Sequence, residues 1–436
     1  MKPLFIVIGT CLSLTSLAQP KPNPLLARMD ALADAGKQRV IDWRHDFHAH
    51  PELGNREFRT SAKIAEYLKS LGMGVQTGVA HTGVVGILKG GKPGPVVALR
   101  ADIDALPVTE RADLPFASKE TTQYKDKSTG VMHACGHDTH IAMLMGAAEV
   151  LSSVRKDLKG TVKFIFQPCE EGPPTGEEGG AQLMVKEGVL DNPKVDVIFG
   201  QHIASGVETG KFTYRAGSVS AENDIFRITI KGKQSHGAAP WTGVDPIVTA
   251  SQVVMGLQTI VSRNMPLPLN AAVVTVGSFH AGNRENIIPE DAVLTGTIRT
   301  LDTAMRNTIH QRMHEVVEHI AASAGATAEV KISMEDAMLV NDPALTSEMA
   351  PTLMAIAGND KVSTVPAGMG AEDFAYFAQK VPGFYFSTGA LPQGRKASEV
   401  LHHTPDFLVD ESSFINGVKA LCHLTVIYME AHATGK

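Results

Sequence analysis

Apolar and polar positions follow one rhythm in the first half of the chain and another in the middle. Pro95–Arg100, Val162–Phe166 and Val195–Phe199 are short apolar runs that read as strands. Ser61 to Leu68 has helical spacing and ends near Gly72, and Thr139 to Ser152 reads as an amphipathic helix between the first two strands. Asp42 to Arg59 is mixed and shows no clear period. Strands alternating with helices predict an α/β fold, a mostly parallel sheet flanked by helices. Near residue 218 the rhythm changes. Asp224 to Lys231 alternates as a half-buried strand, Asp245 to Val261 reads as a helix, and Ala271 to Phe279 and Ala292 to Arg299 read as strands. Thr303 to Ser323 is a second helix and Ala328 to Ile332 a last strand. That order predicts an inserted α+β split-βαβ, ferredoxin-like unit. After about residue 335 the first pattern returns. The expected organisation is one domain from 25–217 and 335–436, interrupted by a second at 218–334. Two units agree with a length of 436 residues, because single cores rarely grow past ~250–300.

The N-terminus stands apart. Lys2, the apolar run Leu4 to Leu17 and small residues before a cut after Ala18 read as a secretory signal peptide over residues 1–18. The expectation is export, to the periplasm or beyond, without stable membrane insertion, since the run is too short for a good span. A lipoprotein anchor at Cys11 fits less well, because the apolar run continues past it. Pro20, Pro22 and Pro24 read as an exposed linker. Removing residues 1–18 would leave Cys135, Cys169 and Cys422, an odd number that argues against a disulfide framework. The net charge of −6 is modest and no basic stripe occurs, so the chain has no nucleic-acid footprint.

Chemistry concentrates in Met132-His133-Ala134-Cys135-Gly136-His137-Asp138-Thr139-His140. Thiolate, imidazole and carboxylate are ligands for zinc and its neighbours. Further donors follow the other apolar strands: Asp102 and Asp104 after the first, Glu170 and Glu171 after the second, His202 after the third. In a parallel sheet those strand ends share one rim, where ligands bind. Glu170 and Glu171 are adjacent and point apart, so one can bind metal while the other faces substrate. Cys169 reads as a small buried thiol, and the His45, His48, His50 group as structural.

Several segments in order carry a resemblance: Arg100-Ala101-Asp102-Ile103-Asp104-Ala105-Leu106-Pro107, the Cys135 cluster, Gln167-Pro168-Cys169-Glu170-Glu171-Gly172, Ser235-His236-Gly237, Asn286-Ile287-Ile288-Pro289, Gly296-Thr297-Ile298-Arg299 and Gly370-Ala371-Glu372-Asp373-Phe374. Together they resemble the M20 metallopeptidase family, in particular its amidohydrolase branch, from about His48 to Glu411. The resemblance implies a metal-dependent hydrolase that cleaves the amide of N-acyl or N-aroyl amino acids. The alternatives are a dipeptidase or carboxypeptidase of the same family and, more remotely, a non-catalytic peptide- or metal-binding protein. It implies two divalent ions per subunit (zinc, manganese, cobalt or nickel) held by Cys135, His137, Glu171, His202 and His403. His403 is preferred to His402 because the family histidine stands two residues before a proline, here Pro405. Glu170 would be the general base and acid. Asp102, Asp104 and Asp138 would orient imidazoles from behind. His236, from the inserted lid and dimerisation domain, would polarise the carbonyl, often in the partner subunit of a homodimer. Asn286 and Arg299 would contact the substrate, Arg299 through its carboxylate.

Overall fold

Helix α4 (His137–Ser153) sets the geometry of the molecule, because 14 of its 17 residues are buried. The expectation of an amphipathic helix here is corrected. Ala142, Met145 and Gly146 lie on the Glu149 side of the helix, where a polar stripe would continue, yet are buried, and α4 packs between α2 (Lys37–Ala49), α10 (Phe414–His432) and the sheet. A Cβ on Gly146 would stand 2.9 Å from Val40 and 3.0 Å from Val418, so glycine there lets three helices close together. Ile141, Leu144, Val150 and Leu151 are buried, each contributing about 1.5–3 kcal/mol of apolar burial. That burial fixes the helix N-terminus, where Cys135, His137 and Asp138 lie.

The computed structural model describes residues 23–433. The signal-peptide reading, Cys11, Pro20 and Pro22 lie outside them. Pro24 is not linker. It opens α1 (Pro24–Ala35), where its missing N–H is harmless, and the Asn23 side chain caps Leu25 N–H at 3.0 Å. Helix α2 falls in the stretch that shows no clear period. Its buried residues are Val40, Arg44, Phe47 and His48, so two polar side chains on the inward face hide the rhythm. Then follow α3 (Phe58–Ser70), β1 (Gly74–Val79), β2 (Gly83–Lys89), β3 (Lys92–Asp102) and a small hairpin, β4 (Thr121–Tyr124) with β5 (Lys127–Gly130). After α4 come β6 (Lys159–Gln167), α5 (Gly180–Lys186), β7 (Val197–Glu208), β8 (Phe212–Tyr214) and β9 (Gly217–Ser220).

The middle of the chain forms β10 (Glu222–Lys231), β11 (Ser235–His236), α6 (Pro246–Thr259), β12 (Ala272–Ala281), β13 (Ile287–Ile288), β14 (Asp291–Thr300), α7 (Thr303–Ser323) and β15 (Thr327–Asp336). The remaining elements are β16 (Leu339–Asn341), α8 (Pro343–Ala357), β17 (Val362–Thr364), α9 (Phe374–Ala378), β18 (Gly383–Leu391) and α10.

Eight strands make one sheet in the order β1-β2-β6-β3-β7-β18-β8-β17. Its centre, β6-β3-β7-β18, is parallel, and β1 and β2 on one flank and the β18-β8 pair on the other run antiparallel. The fold is therefore α/β, with α4 and α10 over the central strands. A separate antiparallel sheet, β12-β14-β10-β15, carries its own core of Phe226, Ile228, Leu257, Leu294, Ile309 and Met313 under α6 and α7. The two chain crossings between the sheets pair with each other, β9 against β16. Strand β7 also corrects an expectation. It runs on to Glu208, so His202 lies inside the strand rather than beyond its end.

Candidate metal centre

The rim of the central parallel strands gathers the donors. Cys135 and His137 flank Gly136 at the start of α4, Glu170 and Glu171 follow β6, His202 sits in β7, and His403 stands on the loop after β18. Gly136 has φ +96°, and a Cβ there would lie 2.4 Å from Ile203 Cγ2, so only glycine lets the Cys135 turn settle on β7. Cys169 and His403 also adopt left-handed backbone, with φ +60° and +61°. The His403 ring stays half exposed at the rim, with only its Nε2 against Cys135 and Glu171.

Cys135 Sγ lies 3.4 Å from His202 Nε2 and 3.3 Å from His403 Nε2, and His403 Nε2 lies 3.2 Å from Glu171 Oε1. His137 donates from Nδ1 to the Asp104 backbone carbonyl at 2.9 Å, leaving Nε2 directed at the cluster. Asp104 also accepts the Glu171 N–H at 3.0 Å, so one carboxylate ties the β6 loop to the His137 ring. Among the described residues, buried His137 Nε2 has no hydrogen-bond partner. An orphaned nitrogen of this kind, beside a thiol, a carboxylate and two more imidazoles, fits a divalent cation of borderline softness. Among the described residues, donor atoms within 4.8 Å of one another form five groups: Cys135, Glu171, His403; His137, Glu170, Glu171; Cys135, His202, His402; Asp102, His137, His140; and Glu170, Glu372, Asp373. His402 is close by but differently used. Its Nδ1 donates to the Cys135 carbonyl at 3.0 Å and its Nε2 accepts the Ser205 N–H at 3.3 Å, so both ring nitrogens are taken by backbone.

The electrostatics agree. Burial would raise the Cys135 thiol, but His202 and His137 outweigh it and hold the thiol well below its ordinary value. Burial likewise opposes ionisation of Glu171, and His403 and His137 bring it below the usual carboxylate range. Burial would lower the His202 imidazole, yet the Cys135 thiolate lifts it to about 9. Anionic thiolate and carboxylate beside imidazoles of raised basicity describe a site that attracts positive charge. Glu170 behaves in the opposite way. Burial first, then Glu372, Glu171 and Asp373, push its carboxyl well above the ordinary value. Its Oε2 stands 3.9 Å from His137 Nε2. Two adjacent glutamates thus differ in kind, one inclined to stay ionised and one inclined to hold a proton.

Behind the rim lies a network that single motifs did not reveal. Arg100 is fully buried and donates to Gln167 Oε1 (2.7 Å), Asp102 Oδ2 (2.7 Å) and Asp373 Oδ1 (2.8 Å), and pairs with Glu372 Oε1 at 2.9 Å. Tyr385 donates to Glu372 at 2.5 Å. The available signal was an arginine inside the apolar run Val96 to Ala101, since a charge buried in a strand needs partners. Asp102 turns its other oxygen to His140 Nδ1 at 2.5 Å. Asp138 needs a correction. It serves no imidazole of the cluster and instead accepts from Arg44 Nε (2.9 Å) and His48 Nδ1 (2.8 Å). It sits in the first turn of α4 with its side chain toward α2, where Arg44 and His48 share one face. His48 in turn meets Glu110 at 3.1 Å, which gives the His45–His48 segment a structural role at the end of α2.

Comparison with known proteins adds the family. The model of peptidase family M20/M25/M40 matches residues 98–426. Thermostable carboxypeptidase 2 of Saccharolobus solfataricus is 42% identical over 387 residues, 88% of this chain and 93% of that protein. The N-acyl-L-amino acid amidohydrolase of Geobacillus stearothermophilus is 43% identical over 300 residues, 69% of this chain and 77% of that protein. The crystal structure of the Bacillus subtilis YXEP protein, a dinuclear metal binding peptidase of the M20 family, superposes with a TM-score of 0.75 at 36% identity, covering 91% of this chain and 99% of that one.

The chain belongs to peptidase family M20/M25/M40.

It is a metal-dependent hydrolase of the M20 type, acting on amide bonds. Its M20 fold leaves three of the expected residues away from the cluster. His236 and Asn286 share the β11–β13 ribbon, where Gly237 N–H meets the Asn286 carbonyl at 2.8 Å, and both are exposed. Among the described residues no hydrogen bond or ion pair joins either to the Cys135 cluster. Arg299 is half-buried at the end of β14 and reaches the Met369 carbonyl at 3.4 Å. That carbonyl belongs to the loop whose Gly370 accepts from Ala221, so Arg299 bridges the two sheets beside the crossing strands.

Proposed function

We propose that the protein hydrolyses the amide bond of N-acyl or N-aroyl amino acids, releasing a carboxylic acid and a free amino acid. The observation that carries this reading is the meeting of Cys135, His137, Glu171, His202 and His403 beside Glu170, in a chain 43% identical to an N-acyl-L-amino acid amidohydrolase. Those five residues would hold two divalent ions, as the dinuclear relative does; zinc suits the donors, and manganese, cobalt or nickel are compatible. When bound, such ions supply Lewis acidity, polarising the amide carbonyl and making water easier to deprotonate. Glu170 takes the proton from the attacking water and returns it to the leaving amine, a task suited to a carboxyl of raised proton affinity. Asp104 keeps the His137 tautomer and the Glu171 loop in place during turnover. His402, engaged by backbone, supports the loop rather than acting as a ligand.

The inserted unit at 218–334 would serve as a lid and as the surface of a homodimer, from which His236 reaches the carbonyl, and Asn286 and Arg299 hold the substrate. Its exposed Trp241 (80%), Leu269 (77%) and Met255 (71%) are apolar side chains of the kind a partner covers. Export to the periplasm or beyond rests on residues 1–18 alone. Among the described residues no helix is long and apolar enough to cross a membrane.

A carboxypeptidase or dipeptidase is the competing reading, favoured by the 42% identity to a thermostable carboxypeptidase. The substrates share an acyl amide on an amino acid with a free carboxylate. They differ in whether the acyl side carries an amine. Kinetics with N-benzoylglycine, glycyl dipeptides and the carboxamide of N-benzoylglycine separates them. We expect hydrolysis of N-benzoylglycine, loss on chelation with recovery on adding metal, and little activity on the carboxamide. A clear preference for free dipeptides overturns the amidohydrolase reading.

A further inference from the structure

Strands β3 and β7 part company at the rim. They pair in parallel from Val97/Val197 to Arg100/Gly200, and there the ladder stops, although β3 continues to Asp102 and β7 to Glu208. On its other side β3 stays paired with β6 as far as Asp102/Gln167. The opening between β3 and β7 is where His202 lies. A strand that loses its neighbour leaves backbone N–H groups needing partners, and a buried one left without costs about 1–3 kcal/mol.

His140 fills that opening from α4. It is 2% exposed, its Nε2 accepts the Ile203 N–H at 2.8 Å, and its Nδ1 meets Asp102 Oδ1 at 2.5 Å. The two bonds fix the tautomer: Nε2 can accept only if Nδ1 carries the proton, which then points at Asp102. Ile203 is the residue everything converges on. Its N–H goes to His140, its carbonyl receives His202 Nδ1 at 2.6 Å, and its side chain lies under Gly136 between Cys135 and His137. The His140 and His202 rings stand edge to face, 4.6 Å between centroids.

We propose that His140 is a positioning residue that stands in for the missing β3 partner of Ile203 and thereby sets the orientation of the His202 imidazole. Asp102, anchored by Arg100, is the fixed end of that chain. The inference rests on the reading of His202 as a metal ligand, and it assigns the last histidine of the Met132–His140 cluster a task through backbone rather than through metal.

Substitution by asparagine or glutamine separates the two bonds. The shorter amide in His140→Asn offers a polar atom near the Nδ1 position and keeps the Asp102 bond; the longer amide in His140→Gln reaches the Nε2 position and keeps an acceptor for Ile203. Zinc affinity is measured by competition with a chromogenic chelator, together with visible spectra of the cobalt-loaded proteins and melting of the metal-free ones. H140N should lose ~10–100-fold in affinity and alter the cobalt bands, the usual effect of removing a group that orients a ligand. H140Q should bind zinc like the parent. Equal affinities for H140N and the parent overturn the proposal, and so does an H140Q that folds but loses as much affinity as H140N. If H140N fails to fold, H140Q decides alone. A parent protein that binds no zinc or cobalt would instead refute the metal-centre reading, which makes the two failures distinguishable.

Discussion

Replacing Glu170 by glutamine is expected to lower kcat by about 10²–10⁴, the range of a lost general acid–base group, while metal content and melting temperature stay near those of the parent. Glu170 lies 3.9 Å from His137 Nε2 and is crowded by Glu372, Glu171 and Asp373. Its carboxyl therefore holds a proton more tightly than an ordinary glutamate, and a neutral amide of the same shape disturbs the surroundings little. The amide cannot exchange a proton with water or with the leaving amine. Glu171 would answer differently, because its carboxylate sits against His403 and its ionised form is favoured. Glu171→Gln should therefore lose metal as well as turnover. Activity assays with metal analysis on both variants make the comparison. Wild-type turnover in E170Q would move the base elsewhere, with Glu372, whose carboxylate lies within 4.8 Å of that of Glu170, the first place to look.

Arg100→Met should destabilise the protein by about 3–5 kcal/mol, the effect of stripping a buried charge network of its counter-charge. Methionine fills much of the arginine volume, so a cavity is not the cause. Three carboxylates, Asp102, Glu372 and Asp373, lose the guanidinium that faces them. The pH dependence follows from Asp373. Burial raises its carboxyl, Arg100 opposes and Glu372 adds to the rise, leaving it at about 8. A carboxyl raised above its unfolded value favours the fold at low pH, and that benefit fades as pH rises toward the folded value. Without Arg100 the carboxyl rises further, so the deficit of R100M should be larger at pH 8 than at pH 5. Urea unfolding of the metal-free proteins at the two pH values measures this. A deficit below about 1 kcal/mol, ordinary for a surface substitution, would show that Arg100 is not the anchor of the rim.

The chain displays some of this openly and conceals the rest for physical reasons. The donors of the cluster stand in recognisable segments because metal chemistry allows few residue types, and the parallel strands that carry them are short apolar runs. The helix α7 and the strands around it follow a clean period because one face of that small sheet is covered and the other is not. The spacing to Pro405 points to His403, but the physical reason, a left-handed residue at His403 and backbone partners for both ring nitrogens of His402, is visible only in the fold. Asp138 looks like a companion of His137, its neighbour, but helix geometry turns it toward Arg44 and His48 in α2. Helix α2 itself escapes the hydrophobic pattern because it buries an arginine and a histidine. The role of Arg100 depends on which strands flank β3, a property of topology rather than of its own segment.

The central claim is that Cys135, His137, Glu171, His202 and His403 hold metal while Glu170 does not. Diffraction from metal-loaded crystals, recorded on both sides of the absorption edge of the bound ion, tests it directly. The account predicts two anomalous peaks within about 2.0–2.3 Å of donor atoms from those five side chains, with Cys135 Sγ among them. No peak near Cys135, or peaks only beside Glu170, Glu372 and Asp373, would contradict it.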